Sequence, residues 1–171
     1  MANFRLWHPS RDAYHCAFRM MRLLVAKNAA LEIERLRILD MFLLYPSLLH
    51  KSSMPRDTKK LFRELEILPP DKLFLRLPST AAVFQDLRLY QNSAISQLTA
   101  RGLFSTEDLK KRLASPPGVG WPEALVQQAE IKNADDGGLT SFLVGAFSDI
   151  PLRGRESIYR KAGLPTRSIA T

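Results

Sequence analysis

The order of apolar and polar residues along the chain predicts a succession of helices. The first is expected over residues 12–25, with the side chain of Ser10 or Asp12 capping its start. Arg19 and Arg22, one turn apart, are expected on a more exposed side of this helix. Its apolar face is expected to consist of Tyr14, Phe18, Met21 and Val25.

A second helix is predicted over residues 31–49, which are mostly large and apolar after a charged start. Glu32 and Glu34 lie in its first turn, where the positive end of the helix dipole favours acids. Because Pro46 lacks the backbone N–H of a regular helix, a stop or kink is expected at Tyr45. The apolar surface exceeds what a helix packed on one side needs, and this surplus suggests an interface.

The rest of the chain continues the helical pattern. Pro55 is expected to open a third helix, and the alternation over 71–77 allows either a short strand or a helix. Residues 79–101 predict one interrupted or two successive helices, closed by Gly102. Further helices are predicted within 105–134, 139–150 and 154–163, with a turn at 135–138.

One compact, mainly α-helical domain is therefore expected over residues 1–171, because the chain has no internal repeat and is long enough for a core. The core is expected at about 10–163, followed by a flexible tail at 164–171. Ile95 and Leu98 precede Arg101 and Gly102, a pattern similar to a recognition helix leading into a wing. A winged-helix-like arrangement with a minor β element therefore stays open.

Composition narrows the cellular setting. No apolar run reaches the roughly 20 residues of a membrane-spanning helix, and the first twelve residues do not read as a secretory signal. The single cysteine cannot form an internal disulfide. A cytoplasmic protein without membrane contact is expected.

The chain carries a net charge of +8, which suits contact with nucleic acid or with an acidic protein surface. The charge is scattered rather than concentrated in one block, so a solvated basic surface is an equally open interpretation. The densest basic segments are 50–63, 108–112 and 153–161.

No set of catalytic residues is found in the sequence. His8, His15 and Cys16 are the clustered metal-ligand candidates, but neighbouring helical residues point about 100° apart. The nucleophile-elbow and P-loop motifs are absent, and the Glu-Ile-Lys at 130–132 is predicted to lie on a helix rather than on a nuclease strand. We therefore expect no enzyme activity, no metal and no cofactor.

The charged residues of the second helix are expected to be structural or interfacial. Arg37 and Asp40 are three residues apart, and an exposed pair at that spacing contributes only about 0.2–0.5 kcal/mol. Cys16 is expected to be a small buried apolar side chain rather than a nucleophile.

Three segments carry a family resemblance. Residues 13–24, 31–46 and 141–164 read AYHCAFRMMRLL, LEIERLRILDMFLLYP and SFLVGAFSDIPLRGRESIYRKAGL, and the most specific part is ERLRILDMFLLYP. They resemble the middle components of bacterial three-component ABC-ATPase systems, in particular the class labelled middle component five, in a Lamassu-like antiphage or antiplasmid setting. Residues 78–135 contribute little to this resemblance.

The resemblance implies a non-catalytic adaptor that binds an SMC- or Rad50-like ABC ATPase and couples DNA sensing to an effector, often a nuclease. DNA would be contacted through the complex. The partner interface is expected to include Arg35, Arg37, Phe42, Tyr45, Leu48 and Leu49. The residues expected to contact nucleic acid are Lys59, Lys60, Arg63, Arg153, Arg155, Arg160 and Lys161.

The alternative is a stand-alone winged-helix regulator of transcription. Residues 91–104 would then form the recognition helix, which reads base edges in a DNA groove. Its candidate base-reading residues are Gln91, Asn92, Ser93, Gln97 and Arg101.

Overall fold

The computed structural model describes residues 8–165, and helices account for nearly all of its regular structure. The α-helices are α1 (Ala13–Lys27), α2 (Ile33–Leu44), α3 (Arg56–Glu64), α4 (Thr80–Ala100), α5 (Thr106–Lys110), α6 (Glu123–Ala134), α7 (Leu139–Phe142) and α8 (Ile158–Lys161). Short 3-10 turns cover Pro9–Arg11, Pro46–Lys51 and Pro70–Lys72, and α7 continues as a π-helical segment, Leu143–Phe147. Two short strands, β1 (Leu31–Glu32) and β2 (Leu113–Ala114), pair antiparallel, with Leu31 opposite Ala114. The expected mainly α fold with a minor β element is confirmed.

The ends of the chain bear on two expectations. Residues 1–7, the start of the segment that was examined for a secretory signal, lie outside the described residues. Residues 166–171, most of the expected flexible tail, also lie outside them. Leu164, at the start of that tail, is buried in the hydrophobic core.

Helix α1 lies at the centre of the fold, where it packs against α2, α4, α6 and α7. Its start is capped by Asp12, whose carboxylate accepts hydrogen bonds from the backbone N–H groups of Tyr14 at 2.8 Å and His15 at 3.3 Å. The capping role expected of Ser10 or Asp12 is thus taken by Asp12.

The side of α1 that faces the core differs from the expected one. Tyr14 was assigned to the apolar face but is 63% exposed, whereas Arg19 was assigned to the exposed side but is only 7% exposed. Of the four expected apolar positions only Met21 is fully buried. The assignment was wrong because Arg19 faces the core, where its charge is balanced by a carboxylate on α2.

Helix α2 is enclosed almost completely within the chain. Nine of its twelve residues are buried, and its neighbours are α1, α4, β2, the following 3-10 turn and the π-helical segment. The surplus apolar surface of 31–49 is therefore accounted for by internal packing. The expected stop at Tyr45 is confirmed, since α2 ends at Leu44 and Pro46 begins the 3-10 turn.

Other boundaries follow from proline and glycine. Helix α4 is one continuous helix, and Gly102 closes it at φ 67°, with the Leu103 N–H donating to the Leu98 carbonyl at 2.8 Å. Residues 71–77 form neither a strand nor a regular helix beyond a short turn. Their alternation does not match burial, because no strand among residues 8–165 pairs with them and Phe74 and Leu75 are exposed.

A buried carboxylate joins three helices. Asp40 of α2 is fully buried and accepts hydrogen bonds from Arg19 Nε at 2.7 Å and from Gln91 Nε2 at 2.9 Å. The Cys16 thiol donates to the same carboxylate at 3.5 Å. Burial alone would lower the pKa of Arg19, but attraction to Asp40 outweighs it and raises that pKa above its ordinary value. The expected exposed pairing of Arg37 with Asp40 is wrong, because Asp40 pairs with Arg19 across the core.

Replacing Asp40 with Ala leaves the Arg19 guanidinium buried without its counter-charge. We expect Asp40→Ala to lower the free energy of unfolding by about 3–5 kcal/mol, measured by urea denaturation followed by circular dichroism. The control is Glu107→Ala, which breaks the exposed Lys110–Glu107 pair and should cost at most about 1 kcal/mol. Equal losses in the two variants would contradict a stabilising role for the buried pair.

Candidate functional site

Cys16 is placed by α1 beside Asp40, but its environment opposes nucleophilic chemistry. The side chain is fully buried. Burial raises the pKa of the Cys16 thiol well above its ordinary value, and the nearby Asp40 carboxylate adds to the rise. Because the thiolate is the nucleophilic form of cysteine, Cys16 here serves packing and hydrogen bonding.

This environment predicts a thiol that reacts only after unfolding. Cys16 is the single cysteine, so its reaction with a disulfide reagent such as DTNB at pH 8 gives an unambiguous signal. We expect negligible labelling of the native chain and complete labelling in guanidinium chloride. Rapid stoichiometric labelling without denaturant would show that the thiol is accessible and ionised.

Arg35 holds a distant segment against α2. Its Nη1 donates to the carbonyls of Ser148 at 2.6 Å and Ile150 at 2.8 Å, and its Nε donates to Glu32 at 2.9 Å. The side chain is 7% exposed. Arg35 therefore fixes the segment that carries Arg153 and Arg155.

The residues expected at a partner interface are divided between the core and the surface. Phe42, Leu48 and Leu49 are fully buried, and the Phe42 ring contacts Phe147 edge-on at 5.2 Å. Tyr45 is half-buried and stacks on His8, with ring centroids 6.3 Å apart. Of these four, Tyr45 is the one with surface available to another protein.

Tyr45 also lines a surface cleft of about 460 Å³, here called the Tyr45 cleft. On α4 the cleft is bordered by Leu89, which is 72% exposed, and by Asp86. Arg11 and Pro78 also line the cleft. The lining of the cleft therefore combines apolar side chains with both signs of charge, and such a mixture is found in protein–protein contacts.

Arg37 faces α4 from the edge of the core. Its guanidinium lies over the Phe84 ring at 5.5 Å, and its Nε donates to Gln91 Oε1 at 3.0 Å. Burial lowers the pKa of Arg37, and repulsion from Arg88 and Arg112 acts in the same direction. The sequence predicted Arg37 only as an interface residue. Its proximity to Arg88 and Arg112 was missed, because these arginines lie far apart along the chain.

The expected nucleic-acid contacts fall into two groups. Lys59 and Arg63 line a cavity of about 290 Å³ beside His50, and Lys60 is exposed on the same helix. The second group, in and before α8, includes the exposed Arg153, Arg155 and Arg160. Lys161 is largely covered and pairs with Glu156 at 2.6 Å. The backbone N–H of Ser53 donates to the Lys161 carbonyl at 2.7 Å, so the segment before α3 meets the end of α8.

The candidate recognition helix, residues 91–104, begins with a residue that contacts the core instead of the surface. Gln91 is fully buried, and its amide donates to the Arg37 carbonyl and to Asp40. After Gly102 the chain enters α5, and β2 pairs with β1 at the start of α2 rather than with an adjacent strand. In the part of the chain that the structure describes, no hairpin wing follows α4. Asn92 and Arg101 are exposed, whereas Ser93 and Gln97 are half-buried.

Two further observations bear on chemistry and membranes. Across residues 8–165, no three His, Cys, Asp or Glu side chains are grouped so that they could hold a metal ion. The Glu-Ile-Lys at 130–132 lies on α6, as expected. None of the helices in this described range has the length and apolar character needed to cross a membrane.

The buried charges of this helical chain serve packing. Its surface offers the Tyr45 cleft and exposed basic side chains, and this arrangement fits an accessory component of a larger assembly. The chain belongs to the family described as ABC-three component (ABC-3C) system Middle Component 5, which matches residues 5–167. Middle components are accessory components of these systems. The expected resemblance to middle component five is thereby confirmed. No curated protein and no solved structure matches the chain.

Proposed function

We propose that this chain is a non-catalytic adaptor that binds an SMC- or Rad50-like ABC ATPase and couples DNA sensing to an effector subunit, such as a nuclease. The setting would be a Lamassu-like antiphage or antiplasmid defence system acting in the cytoplasm. Family membership over nearly the whole chain is the observation that carries this proposal. The buried, protonated Cys16 thiol also argues against a cysteine nucleophile.

The adaptor proposal is tested by co-expressing the chain with the products of its neighbouring genes. A stable complex with a large ATPase on size-exclusion chromatography is the expected result. If the chain neither co-elutes with that ATPase nor changes its ATP hydrolysis, the adaptor function is refuted.

The Tyr45 cleft is the proposed docking surface for the ATPase. Tyr45 belongs to the most specific segment of the family resemblance, and Leu89 is a large apolar residue beside it that is exposed to solvent. A partner that covers Leu89 and fills the cleft would bury apolar area at the centre of the contact, with Arg11 and Asp86 at the rim.

Leu89→Glu places a charge at the centre of this proposed contact. We expect the affinity for the ATPase to fall about 30-fold or more, the range of an interface hot spot, as measured by biolayer interferometry. Tyr45→Ala should act in the same direction. The matched control is Ile131→Glu on α6, another exposed apolar position, which should bind as the parent chain does. Normal binding by Leu89→Glu would place the interface elsewhere.

DNA contact by the basic residues of α3 and of the α8 region is a further part of the proposal. Lys59 and Arg63 have their charged groups at the surface of one helix, an arrangement suited to phosphate contact rather than base reading.

Reversing both charges with Lys59→Glu and Arg63→Glu should weaken DNA binding by the assembled complex to a similar extent for every duplex sequence. Fluorescence anisotropy at several salt concentrations measures the effect. The control pair is Lys110→Glu with Lys132→Glu, which makes the same change of net charge. Equal weakening in both pairs would mean that only the total charge matters.

A further inference from the structure

Four arginines from separate parts of the chain come together beside α2. Arg37 extends from α2 to Phe84 and Gln91 on α4. Positions 84, 88 and 91 recur at the spacing of one helix face, so Arg88 lies on the face of α4 that Arg37 contacts. Electrostatic repulsion between Arg37 and Arg88 reflects this proximity.

Arg112 and Arg153 complete the group. The Arg112 Nε donates to Glu34 Oε1 at 2.7 Å, and Glu34 lies one helical turn from Arg37. Tyr159 of α8 is buried and interacts electrostatically with Arg37, Arg112 and Arg153. We call these four arginines, Arg37, Arg88, Arg112 and Arg153, the arginine cluster.

The charge of the arginine cluster is only partly balanced. Glu34 accepts the ion pair from Arg112, and among residues 8–165 neither Arg88 nor Arg153 has a carboxylate partner at ion-pair distance. Within residues 8–165, Glu34 is thus the one carboxylate that forms an ion pair with any of these four guanidinium groups. Such an excess of one sign attracts an anion strongly.

Arg37 is the half-buried member of the arginine cluster. Its Nη2 is buried and has no hydrogen-bond partner within the described residues. The charge of Arg37 adds to the positive potential that the exposed members of the arginine cluster create at the surface. The Nε of the same side chain donates to Gln91, so the orientation of the Arg37 guanidinium is fixed without a ligand.

Phosphate is the anion that this arrangement suits. Planar guanidinium forks match phosphate oxygens in pairs, and several forks together can surround one phosphate or follow successive phosphates. Three members of the arginine cluster are exposed, so the site is an open surface that a polymer can cross. Such an open surface favours a nucleic-acid backbone over a small enclosed ligand.

We propose that the arginine cluster binds the phosphate backbone of a nucleic acid, with Arg88, Arg112 and Arg153 as its exposed contacts and the half-buried Arg37 adding positive charge behind them. The inference deepens the DNA association proposed above and rests on it for the identity of the phosphate. It adds a site on α2 and α4, separate from the basic residues of α3.

The test is fluorescence anisotropy of the full 171-residue chain with a short labelled duplex and with the matching single strand. Arg88→Ala with Arg153→Ala removes two exposed members of the arginine cluster and leaves the core intact. We expect roughly tenfold weaker binding or more, and a plot of log K against log salt that is shallower by about two units. Arg88→Lys with Arg153→Lys should retain most of the salt dependence.

Arg76→Ala with Arg101→Ala is the control, because it removes two exposed arginines elsewhere. The proposal is overturned if the chain does not bind nucleic acid, or if the control pair loses as much affinity as the cluster pair. ATP and inorganic phosphate serve as competitors, and competition at concentrations as low as those of the duplex would identify a small phosphate ligand instead. Since no partner subunit is present, the result does not depend on ATPase docking at the Tyr45 cleft.

Discussion

The buried Asp40 carboxylate is the interaction on which the arrangement of the helices depends. An isolated carboxylate in a core of leucine, methionine and phenylalanine would be strongly unfavourable. Here it is matched by Arg19 of α1 and Gln91 of α4, so α2 is held between both helices in one register. A rotation of α1 by one residue would remove Arg19 from Asp40 and leave both charges unpaired. The network thus specifies one packing where apolar contacts alone would tolerate several.

The same network links the core to the surface. Gln91 contacts Asp40 with its amide nitrogen and Arg37 with its amide oxygen, so the position of Arg37 follows from that of the buried pair. Arg35, on the same helix, fixes the segment that carries Arg153. The adaptor function proposed above would need surfaces held in fixed relation to each other, because a signal arriving at one would have to reach the other. Here α2 connects the cationic groups beside it to the cleft at its end.

Helix positions were predictable from the sequence, whereas the partners of charged residues were not. Pro46 and Gly102 act locally, through a missing N–H and a left-handed turn, and their effects on α2 and α4 were foreseen. Arg19 was misplaced because periodicity treats every arginine as a surface residue, and its counter-charge lies 21 positions away. The arginine cluster was invisible for the same reason, since Arg37 and Arg112 are joined only through tertiary contacts. Phe42 suggested an interface because its internal partner, Phe147, lies 105 positions away in the sequence.

The contacts between α2 and the segment around 148–150 bear on how the protein is made. The Arg35 hydrogen bond to Ile150 spans 115 positions, and Ser53 is bonded to Lys161. Helix α2 therefore remains incompletely covered until the last sixth of the chain has emerged from the ribosome. Such non-local closure slows folding, and in the meantime a stretch dominated by leucine and isoleucine is exposed to aggregation. A chaperone, or synthesis alongside an assembly partner, would protect the nascent chain during that interval.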